Sequence, residues 1–163
     1  MIGIDPLAAI IGGISAIQNL RLGNIEEKAL LQEVLEEVAS NLKTIKDDYL
    51  KNEVPIEKII KVLNINKLES AEKKRKRKKL DFNKIKAGKI NKECFVSKHQ
   101  FNQYGDYDTE RVMLKLREKI SDFKKARRLY FSRNKWSKKI NPKSRMNTIE
   151  QLFVLLSNHL SSK

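Results

Sequence analysis

Apolar residues recur at helical spacing in several stretches of this chain. Leu7, Ile10, Ile14 and Ile17 form the first stripe. Asp5 fits an N-cap ahead of it, and Pro6 suits a first helical position, where no amide donor is needed. Gly23 predicts the end of this helix, because glycine accepts the left-handed conformation. Gly12 and Gly13 lower helix propensity but permit close backbone approach. A second helix starts at once, with Asn24 and Glu27 as a capping-box pair. Leu31, Leu35, Val38, Leu42, Ile45 and Tyr49 follow at spacings alternating between four and three, a heptad seam over residues 31–49. Glu33, Glu36 and Glu37 precede Lys43 and Lys46, the order that suits the helix dipole. The repeat is short for an independent coiled coil, so the seam is expected to pack within the chain.

Val54-Pro55 restarts the chain, and Ile56, Ile59, Ile60 and Leu63 predict a short amphipathic helix. Asn64-Ile65-Asn66 reads as a turn, and Lys67 to about Leu80 as a very basic helix with Leu68 and Ala71 on one side. Residues 81–107 show no sustained helical period. They read as an irregular connector anchored by Phe82, Ile85, Phe95 and Phe101, long enough to point to a functional insert or an unrecognised helix. Asp108 or Thr109 caps a strong helix running toward Ser132, with Met113, Leu116, Ile120, Phe123 and Tyr130 near one face. Residues 133–146 form a basic connector containing Trp136 and Pro142. Asn147 and Glu150 cap a last helix from about Thr148 to Leu160.

The expectation is an all-α bundle of five or six helices with a basic irregular connector and less than about a tenth strand, against a usual ~20–25%. Residues 1–66 supply the N-terminal helices, 67–107 the basic connector and 108–163 a C-terminal helical hairpin of one domain. The first helix is expected to lie under the second and the 108–132 helix.

Charge changes this picture more than any other feature of composition. The 163 residues hold 35 Lys and Arg against 20 Asp and Glu, a net charge of +15. The first fifty residues are net −4, residues 51–100 net +10 and the remainder net +9. A general bias toward lysine would raise the charge throughout and does not explain an excess that begins after residue 50. A basic distal two-thirds points to a polyanion, either nucleic acid or an anionic membrane. With 40% apolar residues, wholesale disorder is excluded. One cysteine excludes a disulfide framework and a cysteine-based zinc module. The N-terminal apolar run is a poor secretory signal, since its first basic residue, Arg21, follows it. Ser15, Gln18 and Asn19 interrupt it short of the ~20 apolar residues that a membrane span needs. An intracellular protein, cytoplasmic or nuclear, is expected.

Signals of catalysis are weak, and no enzyme activity, metal or cofactor is expected. Cys94 and His99 would form a nucleophile pair only with an orienting group and an oxyanion site, which nothing marks. His159 reads as a packing residue of the last helix. No Arg precedes either histidine at the spacing of helical ribonucleases of the HEPN type. Asp106, Asp108 and Glu110 have the spacing that opens a calcium loop, but Arg111 and Arg117 stand where its Gly and final Glu belong. Gly88-Lys89 lacks the rest of a phosphate loop.

Two basic clusters dominate. Lys73, Lys74, Arg75, Lys76, Arg77, Lys78 and Lys79 are seven consecutive cations that repel one another unless an anion neutralises them. Lys124, Lys125, Arg127, Arg128, Arg133, Lys135, Lys138, Lys139, Lys143 and Arg145 follow within 22 residues that contain no acid. Tyr130, Phe131 and Trp136 are interleaved. Cations neutralise phosphates, and exposed aromatics stack on unpaired bases. The helical register assigns Tyr130 to the core and leaves Trp136 as the surface aromatic. Non-catalytic nucleic-acid binding, to DNA or RNA, is the leading expectation.

Two local resemblances accompany it. Residues 59–70 resemble a helix-turn-helix, with Asn64 where Gly is usual and Ser70 where a buried aliphatic residue pins the second helix. Asp5-Pro6-Leu7, leading into a Gly-containing Ala/Ile helix and then a long charged one, is similar to the start of HeLo-type four-helix bundles. That likeness implies insertion of helix 6–22 in membranes, the first alternative function. The second is a protein-binding adaptor, or self-association, through the seam.

Overall fold

The computed structural model describes residues 5–19, 25–77 and 80–162. Gly23 and Asn24, expected to end the first helix and cap the second, lie outside these residues, as do Lys78 and Lys79. Among the described residues there are seven α-helices: α1 (Pro6–Asn19), α2 (Ile25–Lys43), α3 (Ile56–Val62), α4 (Asn66–Lys76), α5 (Lys98–Tyr104), α6 (Thr109–Tyr130) and α7 (Pro142–Ser161). α2 runs on through Thr44–Lys51 in the wider π geometry. Strands β1 (Phe131–Ser132) and β2 (Lys135–Trp136) make one antiparallel hairpin. The all-α bundle is therefore observed, with one helix more than expected.

α1 packs on α2 and α7, and α7 packs on α6. The second neighbour of α1 is thus the last helix, not the 109–130 helix expected from the sequence. Asp5 caps α1, accepting the Leu7 N–H at 3.1 Å and an ion pair from Lys46 at 2.9 Å. Ile10 and Ile17 are wholly buried, and Leu7 and Ile14 half-buried. A Cβ on Gly13 would sit 3.3 Å from Leu35 and 3.4 Å from Leu160, so this glycine lets the three helices approach. Gly12 faces open space.

Leu31, Leu35, Val38, Leu42 and Ile45 are buried, and Tyr49 packs on the core edge. The seam is thus covered by the chain's own helices. Beside it runs a second buried row, Leu30, Val34, Glu37 and Asn41. The polar pair of that row fixes the segment that follows α3. Asn41 Oδ1 accepts the Asn64 N–H at 2.8 Å, while its amide donates to the Asn64 carbonyl. Glu37 accepts the N–H groups of Lys67 and Leu68 at 2.9 and 3.0 Å. Those are two donors that the first turn of α4 cannot satisfy itself. An Asn41→Ala substitution should lower unfolding stability by about 1–3 kcal/mol, because the Asn64 backbone loses both partners. Urea denaturation measures this, and a loss below about 0.5 kcal/mol would show that the contact is idle.

Residues 81–107 are more ordered than a connector. Phe82 and Ile85 are buried around a 3-10 turn at Phe82–Lys84, with Ile90 and Cys94 buried further on. Glu27 reaches across to this segment, accepting the Asp81 N–H at 3.2 Å and pairing with Lys84 at 2.7 Å. α5 is the helix that periodicity overlooks. Ser97 caps it through the Gln100 N–H at 3.1 Å, and the Gln100 side chain accepts the Val96 N–H at 2.9 Å. α6 starts where expected, with Asp108 accepting the Arg111 N–H at 2.9 Å, and it ends at Tyr130, short of Ser132. α7 starts six residues before the expected Thr148: Asn141, not Asn147, is its cap, accepting the Ser144 N–H at 3.0 Å, and Pro142 opens it.

Candidate functional site

α4 lies along α6. Arg75 pairs with Glu110 at 2.9 Å, and Glu72 binds both Lys76 (3.3 Å) and Arg117 (3.0 Å). The first basic cluster is therefore partly neutralised by the fold, a correction to its reading as seven available cations. Lys73, Lys74 and Arg77 remain exposed. α3 and α4 share few contacts with each other; α3 packs on α6 and α7, and α4 on α2 and α6. In this respect the pair departs from a helix-turn-helix, whose second helix is pinned on the first. Ser70 is exposed, and Ala71 takes the buried position instead.

The second cluster occupies the end of the α6–α7 hairpin. Lys125, Arg128, Arg133, Lys135, Lys138, Lys139, Lys143 and Arg145 are exposed, while Lys124 and Arg127 are half-buried. Among the described residues none of these ten makes an ion pair. Arg133 and Asn134 turn the β1–β2 hairpin with φ of 49° and 59°. Two left-handed residues are what a tight two-residue hairpin turn requires. Glycine would hold that conformation at lower cost, so the chain sets a strained arginine at the hairpin tip.

The aromatics exchange the places assigned from the sequence. Tyr130 is 41% exposed and its neighbour Leu129 is 63% exposed. Trp136 is half-buried, with its ring 5.6 Å from Phe123 and 5.3 Å from Phe131. The α6 core ends at Ala126, one turn before Tyr130. The hairpin then folds Trp136 back onto the wholly buried Phe123.

The fold adds one cation that the sequence did not connect to this cluster. Lys61 of α3 joins Lys124, Arg127 and Arg128 around a cleft between the α3–α4 turn and α6. Ile60, Ile65, Asn66, Glu69 and Ser121 complete its lining. Burial pushes the Lys124 amine below the ordinary lysine range, and Arg128 pushes it the same way against Glu69 and Glu37. Arg127 is held in place: its Nε donates to the Glu57 carbonyl at 2.8 Å, and its guanidinium lies 5.8 Å over the Phe131 ring. The cleft and the Arg75–Glu110 pair lie at opposite ends of α6. Seventeen residues separate Glu110 from Arg127, about 25 Å of helix.

Several of the remaining chemical candidates are engaged within the fold. Cys94 is buried, and burial pushes its thiol up, away from a thiolate. His99 is exposed. Asp106 pairs with Arg111 at 2.7 Å, Asp108 caps α6, and Glu110 holds Arg75. Among the described residues no three His, Cys, Asp or Glu side chains converge as a metal site would. No helix among them is long and apolar enough to cross a membrane.

His159, at 1% exposure, is more deeply buried than expected. Thr109 donates its hydroxyl proton to the Lys86 carbonyl at 2.6 Å, so the His159 Nε2, 3.0 Å away, donates to Thr109. Burial, with Lys86 adding to it against Asp108, lowers the His159 pKa from its ordinary 6.5. As pH falls through 6.5 the unfolded chain takes up a proton that the folded chain refuses, so this group costs stability progressively below that point. A His159→Gln substitution should therefore flatten the loss of urea stability between about pH 7 and pH 5. An unchanged pH dependence would refute this.

No protein-family model matches the sequence, and comparison with curated proteins and with solved structures finds no match.

Proposed function

We propose that this protein binds nucleic acid without acting on it chemically, through the basic end formed by the close of α6, the β1–β2 hairpin and the start of α7. What carries the reading is the group of ten cations there that make no ion pair among the described residues, eight of them exposed. Like charges held together repel, and a polyphosphate relieves that repulsion while releasing its own counterions. The cations of α4 extend the same charge along α6 toward its other end, where Lys73, Lys74 and Arg77 remain available.

A second reading, association with anionic lipid, draws support from Leu129 and Tyr130, which stand exposed among the cations as interfacial residues do. Insertion of α1 has less support, because its apolar face is covered by α2 and α7. An adaptor using the 31–49 seam would have to displace the helices that cover it.

Titrating the protein side by side with labelled single-stranded and duplex DNA and RNA, and with anionic liposomes, at low salt and at about 0.15 M, separates the readings. Nucleic-acid binding that persists at the higher salt supports the proposal. Liposome binding with nucleic-acid binding lost at that salt replaces it with the lipid reading.

A further inference from the structure

The cleft between the α3–α4 turn and α6 concentrates charge that the rest of the basic end spreads over an open surface. It is concave, with a volume of about 340 Å³, the size of a small ligand site. Lys61, Lys124, Arg127 and Arg128 line it against one acid, Glu69, which leaves three positive charges. None of the four makes an ion pair among the described residues. Glu37, which also acts on Lys124, turns its two carboxylate oxygens onto the Lys67 and Leu68 N–H groups. Ile60 and Ile65 border the cleft at only 0% and 6% exposure, so an occupant meets polar groups, with Asn66 and Ser121 adding to the cations.

The amount of charge selects the occupant. An internal phosphodiester brings one negative charge and a phosphate monoester about −1.5 to −2 at pH 7, so either alone leaves the cleft positive. A terminal diphosphate, one inner and one terminal group, carries about −3 by the same values. We propose that this cleft binds two or three linked phosphates, at the end of a nucleic-acid strand or as free polyphosphate, held by Lys61, Lys124, Arg127 and Arg128. For a strand end the inference rests on the reading of the basic end and makes it more specific: the hairpin cations take internal phosphates, and the cleft takes the charge-dense terminus. Two features prepare the site. Arg127 is fixed through Nε and the Phe131 ring, and its terminal nitrogens make no hydrogen bond among the described residues. The Lys124 amine is half-buried and lacks water that would stabilise its charge, so a phosphate supplies what solvent does not.

Lys61 tests the cleft apart from the 124–145 cluster, because it is exposed on α3 and joins the site only through the fold. Lys139→Gln, at an exposed cation that does not line the cleft, is the matched control. Both variants are first checked for an unchanged thermal midpoint. The full isotope-labelled chain is titrated with tripolyphosphate, then with inorganic phosphate at matched ionic strength. Tripolyphosphate should shift the amides of Lys61, Asn66 and Arg128 and bind at least tenfold more tightly than phosphate. Lys61→Gln should weaken tripolyphosphate about tenfold, the scale of one charge-assisted hydrogen bond, whereas Lys139→Gln should not. One RNA single strand is then compared with a 5′-triphosphate and with a 5′-hydroxyl. The triphosphate form should bind more tightly, Lys61→Gln should remove that preference, and Lys139→Gln should weaken both forms while preserving it. Equal affinity for phosphate and tripolyphosphate, or tripolyphosphate shifts confined to residues 133–145, would overturn the inference. If strands bind without the preference and tripolyphosphate leaves the cleft unmoved, the cleft proposal fails and the basic-end reading stands. If tripolyphosphate occupies the cleft and no strand binds, the basic-end reading fails and free polyphosphate is the ligand. If strands bind without the preference while tripolyphosphate occupies the cleft, both stand, again with free polyphosphate as the ligand.

Discussion

Exchanging Lys125, Arg128, Lys135 and Lys139 together for glutamine should reduce the salt dependence of nucleic-acid binding from a log–log slope of about −5 to about −2. A protein that neutralises about six phosphates of a duplex has the steeper slope, and each lost contact removes roughly 0.9 from it. All four side chains are exposed and none makes an ion pair among the described residues, so the fold should tolerate their loss. Affinity should fall by a similar factor for every sequence tested, as it does when phosphate contacts are removed. Substituting Arg75 and Lys76 should change the slope less, because Glu110 and Glu72 already neutralise them. Fluorescence anisotropy over a salt series gives the slopes. If the fourfold variant keeps the wild-type slope, the basic end is not the binding surface.

Replacing Leu42 with alanine should lower unfolding stability by about 2–5 kcal/mol, the lost transfer energy of the side chain together with the cavity left behind. Leu42 is 4% exposed in the seam of α2, between the wholly buried Val38 and Ile45. Val62→Ala on α3 is the matched control. Val62 is 63% exposed, and its truncation should stay within about 0.5 kcal/mol of wild type. Urea denaturation of both variants gives the comparison. Equal losses would mean that the seam does not carry the core.

Several elements were legible because their causes are local. A cap followed by a stripe at helical spacing identifies α1 and α6, and Asp5 and Asp108 cap them in the structure. The 31–49 seam is buried as its spacing implies, since a helix turns its i, i+3 and i+4 positions to one side whatever lies opposite. α5 left a short signal that periodicity is too coarse to detect. Ser97 and Gln100 have the spacing of a capping box, but seven residues hold too few turns for a stripe. α7 begins before the Asn147–Glu150 pair that predicted its cap, because Asn141 caps it instead and Pro142 needs no donor in a first turn.

Burial at the far end of α6 could not be read locally. Tyr130 continues the apolar stripe, yet the packing that would cover it stops at Ala126, and Trp136 reaches Phe123 only because Arg133 and Asn134 accept a left-handed turn. The basic character of the distal chain was a property of the sequence by itself, as were the helical fold class and the helix faces. The tertiary structure decided which cations are free. Arg75 and Lys76 pair with carboxylates, whereas the ten between 124 and 145 make no ion pair among the described residues. It also decided the cleft, where Lys61 and Arg128 face one space from positions 67 residues apart. The physical reason is one of range: caps and periodicity act within a few turns of chain, whereas charge pairing and concavity depend on which distant elements the packing brings together.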